Sequence, residues 1–203
     1  FDFWFEYKEV VPKGFVRLLG KIAELTDSGI GIHIIVGNHD LWMKDYLEVE
    51  CGAKIYHEPI QIKENNKTIF IGHGDGLGPG DKGYKRMKLI LSNPFFIWLF
   101  RLIHPDIGIS LGKYFSQKNK LISGEKDVDF KGEDNEWQIR YSKKKLTENH
   151  IDYFIFGHRH FPIVHQLKSK SKYINLGDWI THFTFGVFEG NTFNLKNYLK
   201  KND

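Results

Sequence analysis

The chain has 203 residues, enough for one well-buried domain that carries an inserted subdomain. Hydrophobic content of 41% and aromatic content of 15% exclude a disordered chain, and a formal charge of +4 is too mild to argue for nucleic acid while permitting an anionic substrate or a membrane surface. The single cysteine, Cys51, excludes an internal disulfide framework and fits a reducing compartment.

The opening, Phe1-Asp2-Phe3-Trp4-Phe5, is too apolar for a solvated terminus and reads as the tail of a loop whose strand lies upstream. Residues 12–28 are expected to be helical: Pro12 suits a first turn, Phe15, Leu18, Leu19, Ile22 and Leu25 recur at helical spacing, and Gly29 supplies the stop. The β-branched run 30–36 then predicts a buried strand that ends in Gly37-Asn38-His39-Asp40. Residues 41–51 read as a short helix. Residues 54–56, 61–63 and 67–71 read as strands, the last two forming an antiparallel hairpin at Asn65-Asn66. Ile69-Phe70-Ile71 leads into Gly72-His73-Gly74-Asp75, and 74–83, with five glycines and Pro79, is a loop.

Residues 84–91 are predicted to form an amphipathic helix. Ser92-Asn93-Pro94 supplies a break, a cap and a helix-starting proline, and Phe95 to Phe100 is then apolar almost all round. A further helix is expected from His104-Pro105-Asp106 to about residue 115, followed by a charged, glycine-containing loop over 118–136 and a helix over 137–149. Residues 84–131 read as an inserted helical cap in a domain covering 1–203. Residues 151–156 return to buried strand and end in Gly157-His158-Arg159-His160. Short strands follow over 163–167, 173–176, 183–188 and 192–195, with a frayed Lys-rich end over 196–203. No basic-then-apolar signal segment opens the chain, and its densest apolar run, 94–103, is half the ~20 residues that span a bilayer. The expectation is a soluble protein, or one that lies on a membrane.

A strand that ends in a polar loop presents those groups at the carboxyl edge of its sheet, where α/β proteins commonly bind ligands. Here three apolar strands each deliver Gly plus His or Asn to such a loop, which predicts one shared site. Asn38, His73, His158 and His160 are the candidate metal ligands. Imidazole and amide oxygen with carboxylate suit Mn²⁺, Fe²⁺ or Zn²⁺ better than Ca²⁺, and the absence of Cys ligands argues against a structural zinc knot. A two-metal centre can bind a phosphate, polarise its phosphorus–oxygen bonds and generate hydroxide at neutral pH. His39, beside Asn38, would stabilise or protonate the leaving oxygen. The plainer reading is that each Gly-His pair is a turn and Gly-Asn-His-Asp a hydrogen-bonded one. Three such loops, one holding two imidazoles two residues apart, favour metal.

This combination resembles the calcineurin-like metallophosphoesterases, whose pattern is Asp-x-His, Gly-Asp-x-x-Asp, Gly-Asn-His-Asp or Glu, a Gly-His loop, and Gly-His-x-His. The last three stand here as residues 37–40, 72–75 and 157–160. The resemblance implies an α/β/β/α sandwich with a dimetal site at its loops. Asn38, His73 and His158 would hold one metal, His160 the other, and His39 would be the catalytic histidine. The first Asp-x-His and the bridging Asp have no counterpart; Asp2 matches the last Asp of Gly-Asp-x-x-Asp, so the expectation is a chain truncated at its N-terminus. Within the superfamily the chain is most similar to the UDP-2,3-diacylglucosamine pyrophosphatases of lipid A synthesis. Phe1-Asp2-Phe3-Trp4, the stretch from His73 through Asp81 and Tyr84, and Gly157–His160 with Pro162, Val164 and His165 carry that likeness. It places Asp81 and Tyr84 at the substrate, where the plainer roles are a helix cap and a core ring. Several of these relatives carry Arg where this chain has His39.

The cap adds a separate observation. Phe95, Phe96, Trp98, Leu99, Phe100, Leu102 and Ile103 exceed what one face of a surface helix needs. Acyl chains or a membrane interface would use that surface, with Lys85, Arg86, Lys88 and Arg101 near phosphates; an oligomer interface or subdomain core would use it equally. The resulting expectation is a hydrolase with two divalent ions, taken as Mn²⁺, that cleaves the pyrophosphate of UDP-2,3-diacylglucosamine to lipid X and UMP. It would work in the cytoplasm, peripherally on the inner membrane. The alternatives are a calcineurin-like phosphodiesterase or phosphatase with a soluble substrate, and a catalytically inactive membrane-binding or scaffold protein. No nucleic-acid partner is expected, and the oligomeric state stays open.

Overall fold

The computed structural model describes residues 1–77, 82–124, 129–130 and 132–199. In chain order they form α1 (Val16–Asp27), β1 (His33–Ile35), α2 (Tyr46–Cys51), β2 (Lys54–Tyr56), β3 (Ile60–Glu64), β4 (Lys67–Gly72), α3 (Lys82–Leu91), α4 (Pro94–Arg101), α5 (Pro105–Gly124), α6 (Trp137–Lys145), β5 (Tyr153–Phe156), β6 (Pro162–Gln166), β7 (Lys172–Leu176), β8 (Thr184–Glu189) and β9 (Thr192–Asn197). The α/β class expected from the sequence is the class observed. The chain divides into two compact units, Phe1–Glu58 with Lys82–Ile122, and Pro59–Asp81 with Ser123–Asp203.

In the first unit the opening stretch is an extended segment with two apolar faces. Phe3, Phe5 and Tyr7 pack with Trp42, Ile97, Phe100 and Ile109. Trp4, pointing the other way, joins Val36, Met43, Leu47, Cys51 and Ala53, the core beneath α1, α2 and the parallel pair β1–β2. Glu6 alternates with them and is buried; its carboxylate accepts from the Trp4 indole (2.8 Å) and from the backbone N–H groups of Lys44, Asp45 and Tyr46 (2.9, 3.2 and 3.3 Å). An anion at a helix N-terminus satisfies donors that the helix itself cannot. On α5, Gly108 lies against the Tyr7 hydroxyl and Gly112 against the Phe3 ring, so close that a Cβ at either would collide. Two glycines one turn apart let this helix lie directly on the opening segment.

In the second unit the sheet order is β3-β4-β5-β7-β6, with β4, β5 and β7 parallel and both edge strands antiparallel. Alternation along the central strands gives it two apolar faces. Phe70, Phe154, Phe156 and Tyr173 pack with Ile139 of α6, while Ile69, Tyr153, Ile155 and Ile174 pack with Phe188, Phe193 and Leu195 of the β8–β9 hairpin. The β3–β4 turn is made by Asn65 and Asn66 at φ 46° and 63°, conformations asparagine tolerates better than most residues.

Several sequence expectations are corrected. The first helix starts at Val16, not Pro12, because Gly14 at φ 107° lies outside helical geometry. The second starts at Tyr46, since Trp42 bridges Phe5 and Glu6 captures the N–H groups ahead of it. The strand read over 30–36 is only three residues long and half-buried, as β1 pairs with β2 alone among the described residues. The loop expected from 118 begins later, because α5 continues to Gly124 through Lys, Gln and Leu, all good helix formers. The frayed end begins too early in that reading: Lys196 and Asn197 belong to β9, paired with Phe185 and Thr184.

Candidate metal centre and substrate cavity

The parallel register of β4 and β5 sets Gly72 opposite Phe156, so the loops carrying His73 and His158 leave the same sheet edge side by side. The Gly157 N–H donates to the His73 carbonyl (3.0 Å), and the two imidazole rings lie 5.2 Å apart between centroids. His73 Nδ1 is 2.8 Å from the Asp75 carboxylate, itself buried. With that carboxylate accepting from Nδ1–H, the lone pair of His73 sits on Nε2, the usual arrangement of a metal-ligating histidine and its orienting partner. His158 is held at φ 68°, a left-handed conformation that costs a non-glycine residue about 1–3 kcal/mol and clusters at functional sites. His160 is half-buried two residues on. Among the described residues no three His, Cys, Asp or Glu side chains form a ready-made metal cluster. The donor chemistry of His73 and His158 nevertheless fits a divalent ion.

The middle residue of Gly157-His158-Arg159-His160 has a structural task. Arg159 Nη1 donates to both oxygens of Glu136 (2.9 and 2.7 Å), a carboxylate 1% exposed, and Nη2 donates to the Asp129 carbonyl (2.9 Å). A buried ion pair of this kind fixes the loop from its centre. Sequence reasoning passed over Glu136 and Asp75, the one because it stood in a charged stretch, the other because it followed the more conspicuous histidine.

In the first unit Asn38 and His39 follow β1 in a turn that the Asp40 N–H closes onto the Gly37 carbonyl (3.1 Å), so the plain turn reading of this stretch holds alongside any chemistry. His39 Nδ1 is 2.8 Å from the hydroxyl of Ser116, a buried residue of α5. Both Asn38 and His39 line a cavity of about 460 Å³ whose remaining wall is mostly apolar: Phe3, Trp42, Leu91, Phe100, Leu111 and Phe115 among others. The Trp42 indole N–H is spent on the Leu91 carbonyl (2.6 Å), which leaves its ring as an apolar surface. Ser116 had no motif to announce it, although helical spacing sets it one turn beyond Gly112.

The three sequence-derived substrate residues fare differently. Tyr84, half-buried, and Arg86, exposed, lie on α3, whose Met87 and Leu91 line the cavity; neither of the two is itself a lining residue. Asp81 lies outside the described residues.

No family model matches the chain. Among curated proteins it is similar to the UDP-2,3-diacylglucosamine hydrolase of Porphyromonas gingivalis, 37% identical over 97% of this chain and 79% of that protein. The enzymes of the same description from Ectopseudomonas mendocina and Pseudomonas fluorescens are 26% and 25% identical over 80% and 88% of this chain, and 67% and 71% of their own lengths. A solved Vps29 from Entamoeba histolytica aligns with TM-score 0.30 at 15% identity, covering 71% of this chain and 43% of its own, and bears on neither fold nor function. With a relative of 37% identity matched over 97% of this chain, the chain belongs to the UDP-2,3-diacylglucosamine hydrolase family, and its three loop motifs resemble those of the calcineurin-like metallophosphoesterases.

Proposed function

We propose that the protein hydrolyses the pyrophosphate bond of UDP-2,3-diacylglucosamine, releasing UMP and the 2,3-diacylglucosamine 1-phosphate, lipid X. The observation that carries this reading is the apolar cavity at Asn38 and His39, a surface suited to acyl chains directly beside a proton-handling group. Family membership supports the same substrate.

His73, His158, His160 and Asn38 are the metal ligands, assigned position by position from the family pattern, and the ion is Mn²⁺. A divalent pair supplies Lewis-acid stabilisation of the phosphoryl oxygens and a water acidic enough to attack phosphorus at neutral pH. His39 donates a proton to the oxygen that leaves phosphorus. A histidine that gives up a proton starts as imidazolium, in which both ring nitrogens are donors; Nδ1–H would then donate to the Ser116 hydroxyl oxygen, and the proton delivered would be the one on Nε2. Asp81, Tyr84 and Arg86 contact the nucleotide and its phosphates.

No helix among the described residues is long and apolar enough to cross a membrane. α4 nevertheless exposes Phe95 and Trp98 at 60% and 54%, with Phe96 and Leu99 beside them. We assign this face to the cytoplasmic surface of the inner membrane, where a lipid-linked substrate resides.

The test is metal analysis of the full-length protein together with Mn²⁺-dependent release of UMP from UDP-2,3-diacylglucosamine. Absence of hydrolysis by metal-loaded protein would overturn the proposal. Equal turnover of a nucleotide without acyl chains would move the substrate to the soluble class.

A further inference from the structure

One buried amide stands behind both histidine loops. Gln138, on the first turn of α6, is 3% exposed. Its Nε2 donates to the carbonyls of Gly74 (3.2 Å) and Gly157 (3.0 Å), the residues adjacent to His73 and His158. Its Oε1 accepts from the Tyr173 hydroxyl (2.6 Å) and from Asn175 Nδ2 (3.0 Å), and Asn175 Nδ2 also reaches the Gly157 carbonyl (2.5 Å). A glutamine amide has two N–H donors and one oxygen with two lone pairs, and all four are used. The assignment of its two ends follows from the partners: two carbonyls demand donors, and a hydroxyl with an amide N–H₂ demands an acceptor.

The surroundings allow little else. Gly74 has φ 104°, and a Cβ there would collide with the Gln138 amide. Burial pushes the Tyr173 phenol well above its usual range, so its hydroxyl remains a donor at any physiological pH. Tyr173 and Asn175 lie on β7, the sheet neighbour of β5, so the amide is fixed by the same sheet whose loops it restrains.

The geometry points to Gln138 as the positioning residue of the metal centre: a single side chain that ties the exits of β4 and β5 together at Gly74 and Gly157, and so sets the separation of His73 from His158. This deepens the proposed function and rests on those two histidines being ligands. Outer-shell groups that orient ligands are worth 10- to 100-fold in metal affinity. Here the group acts through the backbone of both ligand loops.

The experiment uses Co²⁺ as the probe, titrated into the metal-free full-length protein and followed by its visible absorption, at a temperature where every variant is folded. Gln138→Glu keeps the shape but turns a second oxygen toward the two carbonyls. It should weaken Co²⁺ binding by about 10- to 100-fold and alter the absorption bands. Tyr173→Phe removes one donor to Gln138 while keeping the ring; it should shift both readouts in the same direction by less. Ile139→Val, next along α6 and fully buried, should lower the melting temperature and leave affinity and spectrum unchanged. Wild-type protein that takes up no Co²⁺ would refute His73 and His158 as ligands. Wild-type protein that binds, with Gln138→Glu matching it in affinity and spectrum, would overturn the inference alone. Should Gln138→Glu not fold, Tyr173→Phe decides, and unchanged Co²⁺ affinity and spectrum in that variant overturns the inference.

Discussion

In the sheet-based unit, His73 and His158 stand on loops whose carbonyls are held by a buried, fully hydrogen-bonded amide, with Arg159 and Glu136 locking the same loop from within. In the other unit His39 meets the hydroxyl of Ser116 beside a cavity walled by aromatic and aliphatic side chains of the opening segment and α3–α5. The first arrangement is directional, and weakens as its donors and acceptors lose alignment; the second is bulk apolar surface, tolerant of how it is filled. A metal ligand needs the first kind of support and a lipid chain needs only the second. On the proposed function, the difference in bonding is a difference in task.

The comparison breaks most visibly at His39. His39→Ala should lower kcat by roughly 10²- to 10⁴-fold, the usual worth of a positioned proton donor. Metal content measured on the same preparation should remain near that of the wild type. Loss of metal would make His39 a ligand and erase the division of labour just drawn.

Gly74 tests how tightly the amide clamp is set. Alanine there combines a left-handed backbone with a collision against Gln138, and should destabilise by about 1–3 kcal/mol in denaturant unfolding. Gly190, at the tip of the β8–β9 turn, has φ 60° and no atom near its missing Cβ. Gly190→Ala should therefore carry only the backbone penalty of about 1 kcal/mol. Equal losses at the two positions would mean that the clamp has slack.

A smaller effect attaches to Asp178, just beyond β7. Burial alone would raise its carboxyl, but N–H donors from Ile180, Thr181 and His182 outweigh that and hold it below the usual carboxylate range. A depressed folded value contributes stability that is complete above the unfolded pKa and lost as pH falls through the folded one. Asp178→Ala should accordingly lose about 1.5 kcal/mol at pH 7. The gap from wild type should narrow only in acid, below the ordinary carboxylate pKa. A gap independent of pH would assign the effect to packing rather than charge.

Much of this was legible before any coordinates. Ile69-Phe70-Ile71 and Tyr153-Phe154-Ile155-Phe156 announced apolar strands that end in polar loops, though not their parallel pairing, and Asn93-Pro94 announced the start of α4 because cap and fixed φ are local matters. The glycine-histidine loops announced themselves by position after those strands. What stayed hidden was long-range. Nothing near Gln138 in sequence says that Gly74, 64 residues away, will be its partner, nor does Ser116 advertise His39. The opening five residues were recognised as too apolar for solvent, but their two-sided burial depends on α5 bringing Gly108 and Gly112 against them. Local chemistry chose the elements; the polar ties among them needed the fold.

The smallest effect per step bears on the cavity. If its walls hold acyl chains through apolar burial alone, each methylene that enters contributes about 0.8 kcal/mol, or about fourfold in kcat/KM. A substrate series of increasing acyl length should rise by that factor per carbon, then level off once the cavity is full. The rise should appear in KM more than kcat, because contacts with a remote chain serve ground state and transition state alike. Leu111→Asp, which puts a charge in the wall, should flatten the series without altering metal content. A wild-type series that is already flat would show that the cavity takes no acyl chain. A series that rises in kcat instead would mean that chain binding is used to align the phosphates, and the apolar unit would then share the precision credited here to the other.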